Sequence, residues 1–263
     1  MFFFGTLRHV PLLSVVLGRP LDSLDVRDDA LADYRVDAVS EGPFPMLRHD
    51  PGARAPGVVV SGLTGSDCAR LDYYEAGFHY DVLPCTTVGG VDTHVYMADA
   101  NTWTAAGPWD LDDWVAHWGA MTEFAAQEVM AGFRTVTSDE VARRFPRIRA
   151  RAWSKVLAQG GRHGQGTLAG RVEIARRVQA YSNFFALEDL TLRHEQFDGT
   201  MSDPLDRAVF VSTDAAILLP YDPVRDRVLR VEQIRMGPIA RSDPMGWQLE
   251  PVAGLIDPGE TPE

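Results

Sequence analysis

Residues 106–168 carry helical spacing and separate two segments patterned as short strands, a division that constrains the fold more than any other feature of the sequence. Strands grouped on either side of a helical block argue for an α+β chain rather than alternating βαβ units. In the first segment, Phe2–Phe4, Gly57–Ser61, Asp81–Val88 and Thr93–Tyr96 read as strands between Gly/Pro turns, with one helix over Ser66–Tyr74. In the middle, Asp110 can cap a helix with Asp113 in its first turn, and Trp114, Trp118 and Met121 recur at helical spacing. Thr137-Ser-Asp-Glu140 reads as a capping box opening the next helix. Strand patterns return at Val172–Tyr181, Phe184–Phe197, Arg207–Leu219 and Val228–Ile234, with Tyr221-Asp-Pro-Val-Arg-Asp226 as a hairpin turn. The predicted organisation is a domain at 1–105, a helical connector at 106–168 and a second domain at 169–263.

Composition removes several classes of function. The chain of 263 residues has 25 Lys+Arg against 37 Asp+Glu, a net charge of -12, so its overall field repels nucleic acid. Two cysteines, Cys68 and Cys85, support neither a disulfide framework nor a thiolate zinc site, and a reducing cytoplasm is the expected location. Arg8-His9 interrupts the apolar start and no basic region precedes Phe2, so these residues read as a buried strand rather than a signal peptide. No run reaches the ~18 consecutive apolar residues of a membrane span. Lys155 is the only lysine and there is no GxxxxGK[ST], which excludes a P-loop and disfavours Schiff-base chemistry.

Two local features have competing readings. Between Arg134 and Arg162 lie eight basic residues and two acidic ones, which form either an anion-binding patch or a solvated helix face paired with acidic neighbours. The second is favoured, because only Phe145 and Trp153 supply interleaved aromatics. Gly164-Gln-Gly166-Thr-Leu-Ala169 matches a dinucleotide-binding pattern but follows helical sequence and precedes strand, the reverse of what that pattern requires, so a linker is expected.

The first candidate site joins Phe2-Phe-Phe-Gly-Thr-Leu-Arg8 with Leu71-Asp-Tyr-Tyr-Glu75-Ala-Gly-Phe-His-Tyr80. A strand running into glycine can present successive backbone N–H groups to a carboxylate or phosphate. Glu75 lies among aromatics, where desolvation would raise its pKa toward the range useful for proton transfer; the alternative is an exposed residue at a helix end. Together with Phe44-Pro-Met46 and Gly57-Val-Val-Val60, these motifs resemble the γ-glutamylcyclotransferase family, also called AIG2-like, over roughly residues 1–100. The resemblance implies a β-barrel domain in which Gly5, Thr6 and Leu7 hold the α-carboxylate of a γ-glutamyl group. It further implies that Glu75 carries a proton from the α-amine to the departing amine as 5-oxoproline closes, with no cofactor. Where that family has Tyr before the glycine, this chain has Phe4.

The second candidate site is Val231-Glu-Gln-Ile-Arg235 followed by Trp247-Gln-Leu-Glu-Pro-Val-Ala-Gly-Leu-Ile-Asp-Pro-Gly-Glu260. The latter opens as does a Nudix box, GX5EX7REUXEEXGU, whose carboxylates share one face and hold Mg²⁺ against a pyrophosphate. With Val172-Glu-Ile, Phe184-Phe185, Leu192-Arg-His-Glu and the Tyr221–Asp226 turn, the segment from about 171 onward resembles the ADP-ribose pyrophosphatase branch of Nudix hydrolases. The resemblance implies Arg235 and Glu250 at the ADP-ribose, the Ala253 carbonyl and Glu260 at Mg²⁺, an α/β/α domain and a homodimer. Ser182-Asn183 stands where that branch commonly has Arg-Gly. The sequence stops at Glu263, before the Arg-Glu and Glu-Glu of the box, so the Nudix domain is expected to be incomplete in this chain. The expected activity of a full-length protein is hydrolysis of ADP-ribose. The alternatives are a cyclotransferase as the working enzyme of this chain, or a ligand-binding module without turnover.

Overall fold

The computed structural model describes residues 1–76, 80–99, 102–160 and 170–261. The Gly164–Ala169 pattern and Arg162 lie outside the described residues. The chain divides into two compact units, Met1–Val211 and Ser212–Glu263.

The first unit is built on a six-stranded sheet. Its strands are β1 (Phe2–Phe3), β2 (Asp25–Val39), β3 (Pro45–Ser61), β4 (Tyr80–Thr86), β5 (Asp92–Ala98) and β6 (Ala105–Pro108), in the order β4-β5-β1-β3-β2-β6. A barrel requires every strand to be paired on both sides. Among the described residues β4 pairs only with β5, and β6 only with β2, so an open sheet stands where a barrel was expected. Both edge strands carry a proline, Pro84 and Pro108, which suits an edge because no ladder N–H is needed there. Of the long β2–β3 hairpin the strand pattern covers only Gly57–Ser61 at the end of β3, and it misses β2, which begins Asp-Val-Arg-Asp-Asp and is exposed at that end.

Strand β1 is central. Successive strand residues point to opposite faces, so Phe3 joins one apolar cluster while Phe2 and Phe4 join another. The Phe2–Phe4 cluster includes Leu31, Leu47, Ala55, Val59 and Val95. On the other face pack helices α1 (Val10–Leu17), α2 (Gly65–Glu75), α4 (Ala120–Ala131) and α5 (Ser138–Gly160), α4 being preceded by short α3 (Leu111–Trp114) and a wide π turn at Val115–Gly119. Leu12, Val16, Leu71, Ala126 and Val129 from these helices are almost wholly buried. The stretch read as a connector therefore contributes directly to the core around β1.

Local chemistry sets the helix ends. Thr64 and Asp67 form a capping box at α2, and Asp110 accepts from the Asp113 N–H at 2.9 Å. Thr137 and Glu140 form the reciprocal box at α5, each bond at 3.3 Å. Among the described residues no helix is long and apolar enough to cross a membrane.

Helix α5 also holds a three-stranded sheet, β7 (Val172–Ser182), β8 (Ala186–His194) and β9 (Leu205–Val211). Arg151, fully buried, pairs with Glu128 of α4 and donates to the carbonyls of Asn183 and Phe184 at 3.0 Å each. Ser182 Oγ donates to Glu128 at 2.7 Å, Arg144 donates to the Ser182 carbonyl at 2.8 Å, and Arg147 lies 4.4 Å from the Phe184 ring centroid. Much of the basic stretch is thus engaged within the chain.

The second unit consists of two-stranded ribbons. β10 (Ala215–Leu218) pairs with β15 (Val252–Leu255), β11 (Tyr221–Asp222) with β12 (Arg227–Val228), and β13 (Val231–Ile234) with β14 (Trp247–Glu250). One short helix, α6 (Met236–Ala240), joins β13 to β14. Such ribbons bury little, and Ile217, Leu218, Trp247 and Leu249 are all exposed.

Removing one member of the buried ion pair leaves its partner charged without compensation, which costs about 3–5 kcal/mol. Arg151→Met is therefore expected to lower the unfolding midpoint of the first unit sharply, and Arg151→Met with Glu128→Leu to recover most of the loss. Denaturant unfolding of the two variants checks this; equal destabilisation by the single and the double variant would contradict it.

Candidate functional site

A cavity of about 300 Å³ opens beside the end of β1, within the size range of small-molecule sites. Phe4, Gly5, Thr6 and Leu7 form one wall, Pro43, Phe44 and Pro45 another, and Tyr74 and Glu75 at the end of α2 a third. Tyr80, Tyr96, Trp103 and Trp114 add aromatic faces, and α4 and α5 close over it with Met121, Thr122, Ala125, Phe145, Pro146 and Arg149.

The local sequence explains the shape. Gly5 packs so closely against the loop before β3 that a Cβ would sit 2.8 Å from Pro45 Cγ. Gly57 serves the same purpose on β3, where a Cβ would lie 2.5 Å from the Phe3 carbonyl oxygen. After Gly5 the chain turns through one 3₁₀ turn, Thr6–Arg8, closed by the Arg8 N–H donating to the Gly5 carbonyl at 3.1 Å. The first N–H groups of such a turn have no acceptor within it. His9 then ties the turn to the helical roof, with Nε2 2.8 Å from Glu123 Oε1 on α4.

Polar anchors hold the aromatic walls. Trp114 Nε1 donates to the Pro43 carbonyl at 2.6 Å, and Tyr96 OH to Asp72 Oδ1 at 2.7 Å. Trp103 meets Phe44 edge-on at 4.9 Å, and its Nε1 is buried without an acceptor among the described residues.

Glu75 is half-buried, and its remaining surface belongs to the cavity lining. Burial among the packed aromatics disfavours the charged carboxylate and pushes its pKa up to about 7. The neighbouring Tyr74 and Tyr80 hydroxyls are pushed well above their ordinary value, first by burial and then by the charge of Glu75. The structure thus brings Gly5, Thr6, Leu7 and Glu75 to one cavity.

Residues 1–116 match the family model described as "Gamma-glutamyl cyclotransferase, AIG2-like". The N-terminal domain is AIG2-like. The chain is also 46% identical over 92 residues to an ADP-ribose pyrophosphatase of Escherichia coli (strain K12), a match covering 35% of this chain and 44% of that protein. An ADP-ribose pyrophosphatase of Haemophilus influenzae is 34% identical over 96 residues, covering 35% of this chain and 43% of that protein. The chain spans less than half the length of these curated relatives.

The cavity of the AIG2-like domain is completed by side chains that the motifs did not indicate. Tyr74 is adjacent to a quoted residue, but Tyr96, Trp103 and Arg149 belong to no short pattern. A signal for Arg149 existed: Ala142, Phe145, Pro146 and Arg149 follow i, i+3, i+4, i+7 spacing and share one helix face.

The other predicted residues lie in the second unit. Arg235 and Glu250 are brought together at the ends of β13 and β14, Nε to Oε2 at 2.9 Å and the second nitrogen to Oε1 at 2.6 Å. Ala253 and Glu260 are not brought into a metal site. Ala253 sits in β15 opposite Ile217, and Glu260 Oε2 accepts from the Asp257 N–H at 2.9 Å. Among the described residues no group of three or more His, Cys, Asp or Glu side chains could hold a metal ion, so these residues alone do not fit a magnesium centre.

Burial of Glu75 in the AIG2-like domain has a measurable cost. Between its ordinary carboxyl value and about 7, the folded state holds a proton that the unfolded state has released, so stability falls as pH rises through that window. Glu75→Gln is expected to match wild type near pH 4 and to exceed it above pH 7, by on the order of 2 kcal/mol. Melting curves across pH check this, and a difference that does not grow between pH 5 and pH 8 would contradict it.

Proposed function

We propose that the AIG2-like domain is a γ-glutamyl cyclotransferase in which Glu75 moves the proton. The observation that carries this reading is the half-buried Glu75 carboxyl, its pKa pushed up to about 7 by burial, lining an aromatic-walled cavity next to the Gly5–Leu7 turn. A carboxyl tuned to that value exists in both forms at neutral pH, as a group that first accepts and then donates must. In the proposed reaction Glu75 takes a proton from the substrate's α-ammonium. The freed amine attacks the γ-carbonyl carbon and gives up a second proton as the ring closes, the C–N bond to the departing group breaks, and the departing nitrogen takes up both protons, carried to it in turn by Glu75, and leaves as an ammonium. The products are 5-oxoproline and that ammonium, with no other reactant consumed. The turn amides of Gly5, Thr6 and Leu7 would meet the substrate's α-carboxylate. Phe4 in place of a tyrosine removes a hydroxyl from the strand end without opening the cavity, since Phe4 is buried.

Glu75→Gln keeps the side-chain volume but cannot exchange a proton, so 5-oxoproline release from γ-glutamyl compounds is expected to fall by at least ~10²-fold. In wild type, kcat/KM should rise with pH through about 7 as the carboxylate forms. Full turnover by Glu75→Gln, measured by chromatography of 5-oxoproline, would end the assignment.

A second reading rests on the 46% identity to an ADP-ribose pyrophosphatase. Under it, the Arg235–Glu250 pair belongs to an ADP-ribose site whose hydrolytic centre needs Mg²⁺, and the protein is a homodimer. Hydrolysis of a pyrophosphate needs Mg²⁺ anchored by carboxylates. No such group is assembled among the described residues of this chain. The 263-residue chain is therefore expected to release no AMP from ADP-ribose with Mg²⁺. AMP release at a rate comparable to that of a complete ADP-ribose pyrophosphatase would overturn this.

A further inference from the structure

The side chain of His9 serves a distant element rather than its own. His9 precedes helix α1, where Ser, Thr, Asp or Asn would cap the first turn, yet its ring makes no cap bond. Its N–H donates to the Thr6 carbonyl at 3.0 Å, and its carbonyl accepts from the Leu13 N–H at 3.0 Å, so its backbone joins the turn to α1. The ring packs edge-on against Trp114, 6.1 Å between centroids, and Nε2 meets Glu123 Oε1 at 2.8 Å, 114 positions along the chain. A carboxylate only accepts, so Nε2 carries the hydrogen. The two side chains are 16% and 32% exposed, and a contact so shielded escapes much of the screening that weakens surface ion pairs. Glu123 lies on α4, next in sequence to Thr122 of the cavity roof and outside residues 1–116. The buried Nε of Arg8, by contrast, meets no acceptor among the described residues.

The turn is thus held at both ends, by the close packing of Gly5 on Pro45 and by the bond from His9 to Glu123. We propose that Glu123, acting through His9, is a positioning residue that fixes the Gly5–Leu7 amides for the α-carboxylate of the ligand. The proposal rests on the cyclotransferase reading, in which those amides meet that carboxylate. Amides held in place before the ligand arrives spare the ordering cost that a loose turn would meet on binding. Loss of the tie therefore weakens the grip on one carboxylate and leaves the other contacts of the ligand as they are. A role in general stability would instead weaken every ligand alike.

The test uses Glu75→Gln as the parent, so that binding is read without turnover. Calorimetry compares γ-glutamylalanine with 4-aminobutanoylalanine, which lacks the α-carboxylate and is otherwise the same. The parent is expected to bind γ-glutamylalanine roughly 10- to 100-fold more tightly, as charge-assisted hydrogen bonds allow. Adding Glu123→Ala or His9→Ala should remove most of that preference while the affinity for 4-aminobutanoylalanine stays unchanged. The two changes together should do no more than either alone, because they break one contact. Glu123→Gln, which keeps an acceptor for Nε2, should retain the preference. A preference left intact by Glu123→Ala, or equal weakening of both ligands, would overturn the positioning role alone. Equal binding of the two ligands by the parent, or binding of neither, would overturn it together with the reading that the turn holds the α-carboxylate. Wild-type release of 5-oxoproline is read separately. Its absence alongside a Glu123-dependent preference would end the catalytic reading and leave the positioning role standing.

Discussion

The burial of three consecutive phenylalanines on both faces of one short strand is the constraint from which the first unit is built. Phe3 anchors the helices, Phe2 and Phe4 anchor the far side of the sheet, and only a strand between two neighbours can satisfy both. Gly57 lets that strand lie directly against β3. Fixed in this way, the end of β1 carries Gly5 to Pro45 and delivers the following turn to the cavity at a defined height. A flexible loop could carry the same residues but not hold their amides at a constant distance from Glu75.

Helices α4 and α5 have two working faces. One roofs the cavity with Met121, Ala125, Phe145 and Arg149, while the other carries Glu128 and Arg151 to the β7–β8 turn. Neither face is a solvated surface. A buried guanidinium is costly unless all its donors are met, and Arg151 meets them with a carboxylate, two carbonyls and a hydroxyl. The roof is therefore tied to the β7–β8 turn by a network of charge-assisted hydrogen bonds.

The legible parts of the sequence were those fixed by local chemistry. Capping boxes at Thr64 and Thr137, the Asp110 cap and the ribbon around Tyr221–Asp226 all depend on residues a few positions apart. Gly5–Leu7 and Glu75 were joined through a family resemblance rather than through their spacing, and in the structure both line one cavity. What stayed hidden depends on distant partners. Strand β2 is stabilised by its register with β3, not by an apolar pattern of its own, and the sheet's failure to close is a property of its edges. The division of the basic stretch between a cavity face and a hairpin face required knowing which elements lie on each side of α5.

The β7–β8 turn shows how one substitution can be read from its surroundings. This chain has Ser182-Asn183 before Phe184-Phe185, where the resemblance drawn from the sequence leads one to expect Arg-Gly. In the structure this turn offers oxygens rather than charge: the Ser182 carbonyl to Arg144, Ser182 Oγ to Glu128, and the Asn183 and Phe184 carbonyls to Arg151. An arginine at position 182 would bring a third guanidinium beside Arg144, which already pairs with Glu140, and Arg151, which already pairs with Glu128. Like charges in a buried setting repel strongly, and the surplus could not be hydrated. A small hydroxyl at 182 completes the network instead, and the turn helps to hold the sheet against α4 and α5.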